Sequence, residues 1–555
     1  MGWVRWTVLV AAAALVFPLP WCLAGEPPSG DSVGEKKPAR KPRVKVTISR
    51  ETTYLTGPLR PDGYVDYVAA INARARQGVT PQNNAAVLFW QAFGPEEIDE
   101  DVRARFFELL GIAPLAEEGE YLIAPDKYLA SRGAEATPAA PGETPAEQAK
   151  LIEQQRDAAM QRPWSKAEFP ILAEWLEKNA RPLALIAEGT RRPRCYSPML
   201  APGDPMVLSL LLPSAQRSRE AARALRTRAM LRLRAGEVEA AWQDLLACHR
   251  LARLIGQGPF LIDMLVAIAI DAVACAGDAA LAHHARLTAE QAKRFDNDWQ
   301  GLPPMPKFAD VMNQGERLYY LDALCTVARG GLAGLNDLTG ANGDSDQTQR
   351  LVATLASELL IDWDVPLREG NLWYDRFVQA AGKPTRAERI AAMGQLDDDL
   401  KKMAAEVKDL KAMGRSLLAG TSPRQLVSQQ VGKLFAALTL PALGAVAQAA
   451  DRHQMTFDLT RAAVALAGYR ADHGAYPEKL SQLSPKYSAR VPKDLFAAGA
   501  DPHYQAKDGG YVLYSVGING KDDGGRGYGD HDEDTPAGAD WDDLVIRAPS
   551  IEKTP

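Results

Sequence analysis

The feature that most constrains this chain is its acidic, glycine-rich end, Gly517–Arg547. It reads GINGKDDGGRGYGDHDEDTPAGADWDDLVIR and places nine Asp and Glu beside seven Gly. An apolar run, Tyr511–Val516 (YVLYSV), leads directly into it. So many carboxylates in a loop that can hardly bury them repel one another, and a hard cation removes the repulsion. Ca²⁺ takes this ligand chemistry: carboxylate, amide and backbone oxygens. Glycine lets the backbone turn its carbonyls inward at positive φ. The alternative is a solvated acidic loop without metal, since blocks of like charge often merely stay hydrated.

At 555 residues the chain is long enough for more than one domain. Its 46% apolar and 24% charged content is that of an ordinary globular protein, so disorder is not the default. A formal charge of -6 gives no sign of a nucleic-acid partner. At the N-terminus, Arg5 precedes the apolar run Trp6–Leu19, and Cys22-Leu23-Ala24 offers small residues for cleavage after Ala24. This is the anatomy of a secretory signal peptide over 1–24. Pro18 and Pro20 argue against a stable spanning helix, and Trp21 stands where a lipoprotein site has a small residue. Residues 25–45 are rich in Pro, Lys and Ser and read as a flexible linker. The expectation is an exported protein of the periplasm or cell envelope, membrane-tethered if the signal stays uncleaved. Among Cys195, Cys248, Cys275 and Cys325 there is no C-x-x-C pair, so neither zinc nor thioredoxin-like chemistry is suggested. Export permits disulfides; small buried thiols on helices are the simpler state.

Residues 46–445 read as mainly helical, with short strands within Val46–Tyr67 and a low-complexity loop over 132–150. Ala221, Ala222, Leu225, Ala229 and Leu233 mark one helical face, and Val238, Ala241, Leu245, Cys248, Ala252 and Ile255 the next, across a break at Ala235-Gly236. LRLRAGEVEAAWQDLLACHRLARL resembles a tetratricopeptide-type hairpin, although one copy is visible where stacked repeats need about three. The apolar helix Leu261–Ala285 would pack on it as a partial second copy. Asp263, Asp271 and Asp278 interrupt its apolar length and argue against a membrane span. Met393, Leu396, Leu400, Met403, Val407 and Leu410 form a narrow seam, read as a helix hairpin folded onto its own body. Segments such as TGPLRPDGYVDYVAAINARARQGVTPQNNAAVLFWQAFGP resemble exported bacterial proteins, a resemblance that carries localisation and no chemistry.

Residues 446–555 have a different character: a long Ala-rich helix, an Ala475-Tyr476-Pro477 stop, and strands expected at His503–Ala506, Tyr511–Val516 and Leu544–Arg547. Asp508-Gly509-Gly510 is a tight-turn signal. The matching pieces are Tyr469, Asp472, Gly474, Tyr476 and Pro477; Leu480 and Leu483; Val491-Pro492-Lys493-Asp494; Tyr514-Ser515-Val516-Gly517; Asn519-Gly520; and Asp542-Asp543-Leu544. Together they resemble the periplasmic domain of the major pseudopilin of type II secretion systems, over about Ala447–Ala548. The resemblance implies a small α+β domain whose loop before the last strand holds a structural Ca²⁺. It places Asn519 at a position where the family has Asp, and Asp542 and Asp543 on the paired acids. Asp522 and Asp523 join them on chemistry alone. Asn in place of Asp keeps an oxygen ligand but removes a charge, which weakens binding. Asp530, Asp532 and Asp534 mimic EF-hand spacing, yet Thr535 stands where Gly is needed and no Glu closes the loop. The chain departs from the family in lacking a prepilin cleavage motif before Ala447, so polymerisation does not carry over.

No H-E-x-x-H, G-x-S-x-G, P-loop or G-x-G-x-x-G occurs. His283-His284 read as the exposed end of a helix and His249 as a surface or packing residue. The fold class expected is mainly α, a helical-hairpin body with a small C-terminal α+β pseudopilin-like domain. The function expected is a non-enzymatic, exported envelope scaffold, stabilised by Ca²⁺, with a protein partner in the envelope or secretion apparatus. Neither a nucleic acid nor a small-molecule substrate is expected. One alternative is an accessory component of a type II secretion or pilus-like apparatus. Another is an exported hydrolase using Asp362, Asp364, Glu369 or Asp375, since paired carboxylates beside aromatics suit glycoside chemistry.

Overall fold

The structure is a computed structural model that describes residues 44–132, 144–200, 202–203, 207, 213–330, 361–407, 418, 420–440, 443–532, 535–536 and 538–548. The expected signal peptide and the linker up to residue 43 lie outside the described residues. The fold is mostly helical with a small antiparallel sheet near the C-terminus. It divides into two compact units, one made of Met1–Ala73, Asp204–Leu210 and Met312–Gly444, the other of Arg74–Gly203, Leu211–Val311 and Ala445–Pro555.

In the first unit, helix Asp364–Ala381 packs against helices Arg317–Gly330, Arg386–Val407 and Pro423–Thr439. The seam residues Met393, Leu396, Leu400 and Met403 are buried, so the helix does fold onto its own body. Leu410 lies outside the described residues. Arg317 is buried with its guanidinium 4.4 Å from the Tyr54 ring centre, and it pairs with Asp375 at 2.6 Å. The strands expected within Val46–Tyr67 do not form; one isolated bridge, Leu59 with Val65, is present. Local polar side chains take up this backbone instead. Thr53 donates to the Ser49 carbonyl, and Asn371 donates to the carbonyls of Glu51 and Thr52.

The second unit is built on three mutually packed helices, α1 (Pro213–Arg234), α2 (Val238–Ile255) and α3 (Leu261–His284). The expected hairpin is α1–α2, and α3 packs on both of its members. Helix α4 (Ala289–Gln300) comes next in the chain. Asp263, Asp271 and Asp278 of α3 are all buried, so this apolar helix is a core element of the bundle. Of the loop expected over 132–150, residues 133–143 lie outside the described residues, and inside it a helix begins at Pro145. Thr144 caps it, Pro145 occupies its first turn and Glu147 closes a capping box, which satisfies two otherwise orphaned donors. Among the described residues, Cys195, Cys248, Cys275 and Cys325 are free thiols.

Helix α5 (Leu443–His473) joins the bundle to the sheet. Phe457, Val464 and Ala467 belong to the core of the helical bundle, whereas Met455, Leu459, Ala462 and Leu466 belong to the core under the sheet. These two sets alternate at three- and four-residue steps on opposite sides of one helix. The C-terminal segment Ala445–Pro555 is grouped with the bundle in one compact unit.

The sheet runs β1 (His503–Lys507), β2 (Gly510–Ser515), β3 (Leu544–Ala548), all antiparallel. Asp508 and Gly509 both have positive φ, 53° and 75°, the two-residue turn whose twist suits a hairpin. Tyr511 and Leu513 alternate inward from β2 onto Leu459, Leu466, Leu480 and Leu483. Asp494 is fully buried and ties the 491–500 loop to the end of β2. It accepts N–H groups of Phe496 at 2.7 Å and Val516 at 3.1 Å, and the Ser515 hydroxyl at 2.8 Å. Asp494→Ala strands these buried donors, and a loss of about 3 kcal/mol is expected in urea unfolding, with a smaller loss for Asp494→Asn.

Candidate functional site

Two places in the second unit gather chemistry-bearing side chains: the acidic loop between β2 and β3, and a polar network inside the bundle. In the loop, Asn519, Asp523 and Asp542 come together. Asp542 accepts N–H groups of Ile518 at 2.9 Å and Asn519 at 3.2 Å through Oδ2. Asp523 Oδ2 accepts the Asn519 amide and the Asp542 N–H, both at 3.2 Å. Asp543 adjoins them and accepts the Gly525 N–H at 2.8 Å. Asp522 turns away to the face of β2, where its Oδ1 takes the Tyr514 hydroxyl and the Gly524 N–H, each at 2.9 Å. Gly517 has φ +67° and lies so close to the carbonyl and Oδ1 of Asp542 that no side chain fits there.

Asp542 and Asp543 are 5% and 4% exposed, and the Oδ1 of each is buried without a hydrogen-bond donor. Burial pushes both carboxyls up, and the nearby Asp523 charge adds to it. Other acids of the loop have cations: Asp540 pairs with Lys521 at 2.8 Å, and both Asp530 oxygens receive Arg547 at 3.0 Å. Asp530 therefore anchors β3. Asp534 lies outside the described residues. Among the described residues no ion pair reaches Asp523, Asp542 or Asp543. Two orphaned carboxylate oxygens, a set of hard oxygen donors and a glycine backbone fit a Ca²⁺ site in chemistry. The three carboxylates are not drawn tightly together, however. Among the described residues, the one trio of ligand-bearing side chains whose ligand atoms all lie within 4.8 Å is elsewhere, at His249, Asp271 and Cys275.

That trio belongs to the polar network. His249 on α2 is fully buried, not at the surface. Its Nδ1 lies 2.6 Å from Asp271 Oδ1 and its Nε2 2.7 Å from Asp278 Oδ2, both on α3. A carboxylate on each nitrogen requires a proton on each, so the ring is an imidazolium. Burial works against that charge, but Asp271 and Asp278 outweigh it and push the pKa of His249 up to about 9. Asp271 also receives Arg253 of α2, one turn beyond His249, and the Nε2 of His453 on α5 at 2.5 Å. Burial alone would raise Asp271; His249 and Arg253 reverse this and hold it well below the usual carboxylate range. Asp278 is pushed up by burial and keeps one oxygen without a donor.

This donor set does not fit a metal. Both His249 nitrogens are engaged, a guanidinium shares Asp271, and burial pushes the Cys275 thiol well up, away from the thiolate a metal needs. The network is a buried charge cluster. A pocket of about 380 Å³ opens beside it, with Arg253 and His453 in its wall.

The acids of the hydrolase alternative lie in the first unit. Asp362 holds the Asp364 N–H, Asp364 holds the Thr47 N–H at 2.7 Å, and Asp375 pairs with Arg317. Burial pushes Glu369 up to about 7. At the end of α3 His284 is exposed, as expected, whereas His283 is half-buried.

His249→Gln leaves two buried carboxylates without their shared cation, and a loss of about 3–5 kcal/mol is expected. Because the folded pKa of His249 is raised, its contribution is full below its ordinary value near ~6.5 and is lost as pH rises through about 9. Urea midpoints at pH 6.5 and 9.5 should therefore converge between wild type and variant at the higher pH; a constant gap contradicts the imidazolium assignment. No family model, curated protein or solved structure matches this chain, so its functional reading rests on geometry and on sequence motifs.

Proposed function

We propose that the chain is an exported, non-enzymatic cell-envelope protein: a helical interaction scaffold bearing a Ca²⁺-stabilised, pseudopilin-like C-terminal segment. The observation that carries this reading is the pair of buried, donorless oxygens, Asp542 Oδ1 and Asp543 Oδ1, on residues that lead directly into β3. A buried anionic oxygen without a donor is unfavourable, and a divalent cation removes the penalty. Asn519 ties the base of the loop together: its amide donates to Asp523 and to the Asp540 carbonyl at 2.9 Å, and its Oδ1 accepts the Lys521 N–H at 2.7 Å.

The role of the metal is structural. Bound at the base of the loop, it neutralises the acids and pins the start of β3, so binding free energy becomes folding free energy. Helix, hairpin and last strand keep the order of the pseudopilin motifs, which supports export and a partner in the envelope or secretion apparatus.

The test uses the full chain, because α5 is shared with the bundle. Ca²⁺ at about a hundredfold over its Kd should stabilise the protein by about 2.7 kcal/mol relative to chelator. Asp542→Asn with Asp543→Asn should abolish the difference, while Asn519→Asp should tighten binding severalfold by adding a charge. Identical melting in Ca²⁺ and chelator would falsify the metal site.

The pH dependence has a definite sign. Both acids have folded pKa values raised by burial, so without metal their ionisation destabilises the fold as pH rises past their ordinary value near ~3.9. Ca²⁺ needs the ionised forms. Its stabilising increment should therefore be largest near neutrality and shrink as pH falls through the raised values, read as melting shifts with and without Ca²⁺ from pH 7 to 4.

A further inference from the structure

We propose that the pocket beside the His249–Asp271–His453 network binds a small organic anion, an apolar body carrying one carboxylate-type oxyanion. The pocket holds about 380 Å³, within the range of roughly 300–1,000 Å³ that encloses small ligands. It is walled by α2, α3, α4, α5 and the Leu302–Lys307 segment after α4.

The two halves of the lining differ in chemistry. Trp299, Phe457, Met264 and Ile268 supply an apolar, partly aromatic wall; Arg253, His453 and Lys307 supply the basic one, and no Asp or Glu lines the pocket. Two lining residues carry buried N–H groups with no acceptor, Arg253 Nε and Trp299 Nε1. Arg253 is 7% exposed, and its other hydrogen bonds go to Asp271 and the His249 carbonyl, behind the wall. Donors left unsatisfied in a buried wall are stabilised by an acceptor, and a carboxylate is the strongest small one.

The charge balance points the same way. The acids of the network are Asp271 and Asp278; against them stand His249, Arg253 and the buried Arg226, which interacts with Asp278. Asp458 interacts with His453, but no acid lines the pocket itself, and Lys307 adds a positive charge at its exposed rim. A cation is disfavoured there and an anion is not. The aromatic rings and the prolines of the 303–306 segment give the ligand's apolar part a rigid face to lie on.

The experiment is calorimetric titration of the full-length protein with 4-phenylbutyrate and with its neutral counterpart 4-phenylbutanol. Saturable 1:1 binding of the acid, at least tenfold tighter than the alcohol, is expected. Lys307→Ala, at an exposed position, should weaken the acid threefold or more and leave the alcohol unchanged. Met264→Trp should fill the pocket and remove binding of both; if that variant does not fold, Ile268→Phe serves the same purpose. Absence of acid binding, or equal binding of acid and alcohol, overturns the proposal. Retained acid binding in the Asp542→Asn, Asp543→Asn double variant separates this site from the proposed metal site.

Discussion

Helix α5 has two occupied faces, and the second unit depends on that. Phe457, Val464 and Ala467 complete the bundle core, while Met455, Leu459, Ala462 and Leu466 floor the sheet. Three short strands need a packed hydrophobic face to be stable. They gain it from a helix whose other side is already held. The same helix brings His453 to Asp271, and Arg461 to Asp296 at 2.9 Å on α4. Truncating Phe457 to Ala would remove about 3–5 kcal/mol of packing at the place where both cores meet. A C-terminal fragment cut free of the bundle would expose that face, which is why the metal question belongs to the whole chain.

The bundle tolerates a buried cluster of ions because each charge is answered. Single buried carboxylates in an apolar helix are strongly disfavoured, and their pKa values rise until they neutralise. Asp271 avoids this with three donors, from α2 and α5. Such a cluster contributes less to stability than an apolar core of the same volume would. What it adds is register: α2, α3 and α5 must meet with His249, Asp271 and His453 aligned, and a one-turn slip would strand charges.

Much of the C-terminal segment was legible in the sequence because its signals are local. The alternation in YVLYSV, the Asp508-Gly509 turn and the acidic pair before Leu544 each act within a few residues. The strands accordingly fall within a residue or so of where they are expected. The helical hairpin was legible from its period. The polar network was not, since its contacts span 22 residues from His249 to Asp271 and 182 from Asp271 to His453. A signal was nonetheless present. Asp271 and Asp278 stand seven residues apart on one face of an otherwise apolar helix, and His249 and Arg253 stand four apart on the preceding one. Polar residues at core-facing positions of two neighbouring helices imply that they face each other. Helix initiation at Pro145 was also local, in Thr144-Pro145-Ala146-Glu147, but was obscured by the low-complexity composition around it.

The two candidate sites are each contacted by one of two consecutive residues of α5. Arg452 lies 4.9 Å from the Tyr528 ring centre and offsets the charge of Asp542, whereas His453 faces Asp271 and the pocket. Consecutive helical residues point about 100° apart, so the sites share a helix and no side chain. A cation in the loop would act on the pocket through order: a pinned β3 steadies the sheet, and the sheet packs on α5 through Leu459 and Leu466. The bundle holds the inner face of that helix through Phe457, Val464 and Ala467 without help from the sheet, so the pocket wall persists when the loop is empty of charge compensation. Division between the acidic loop on one side and a pocket on the other is thus a consequence of packing one helix on two faces.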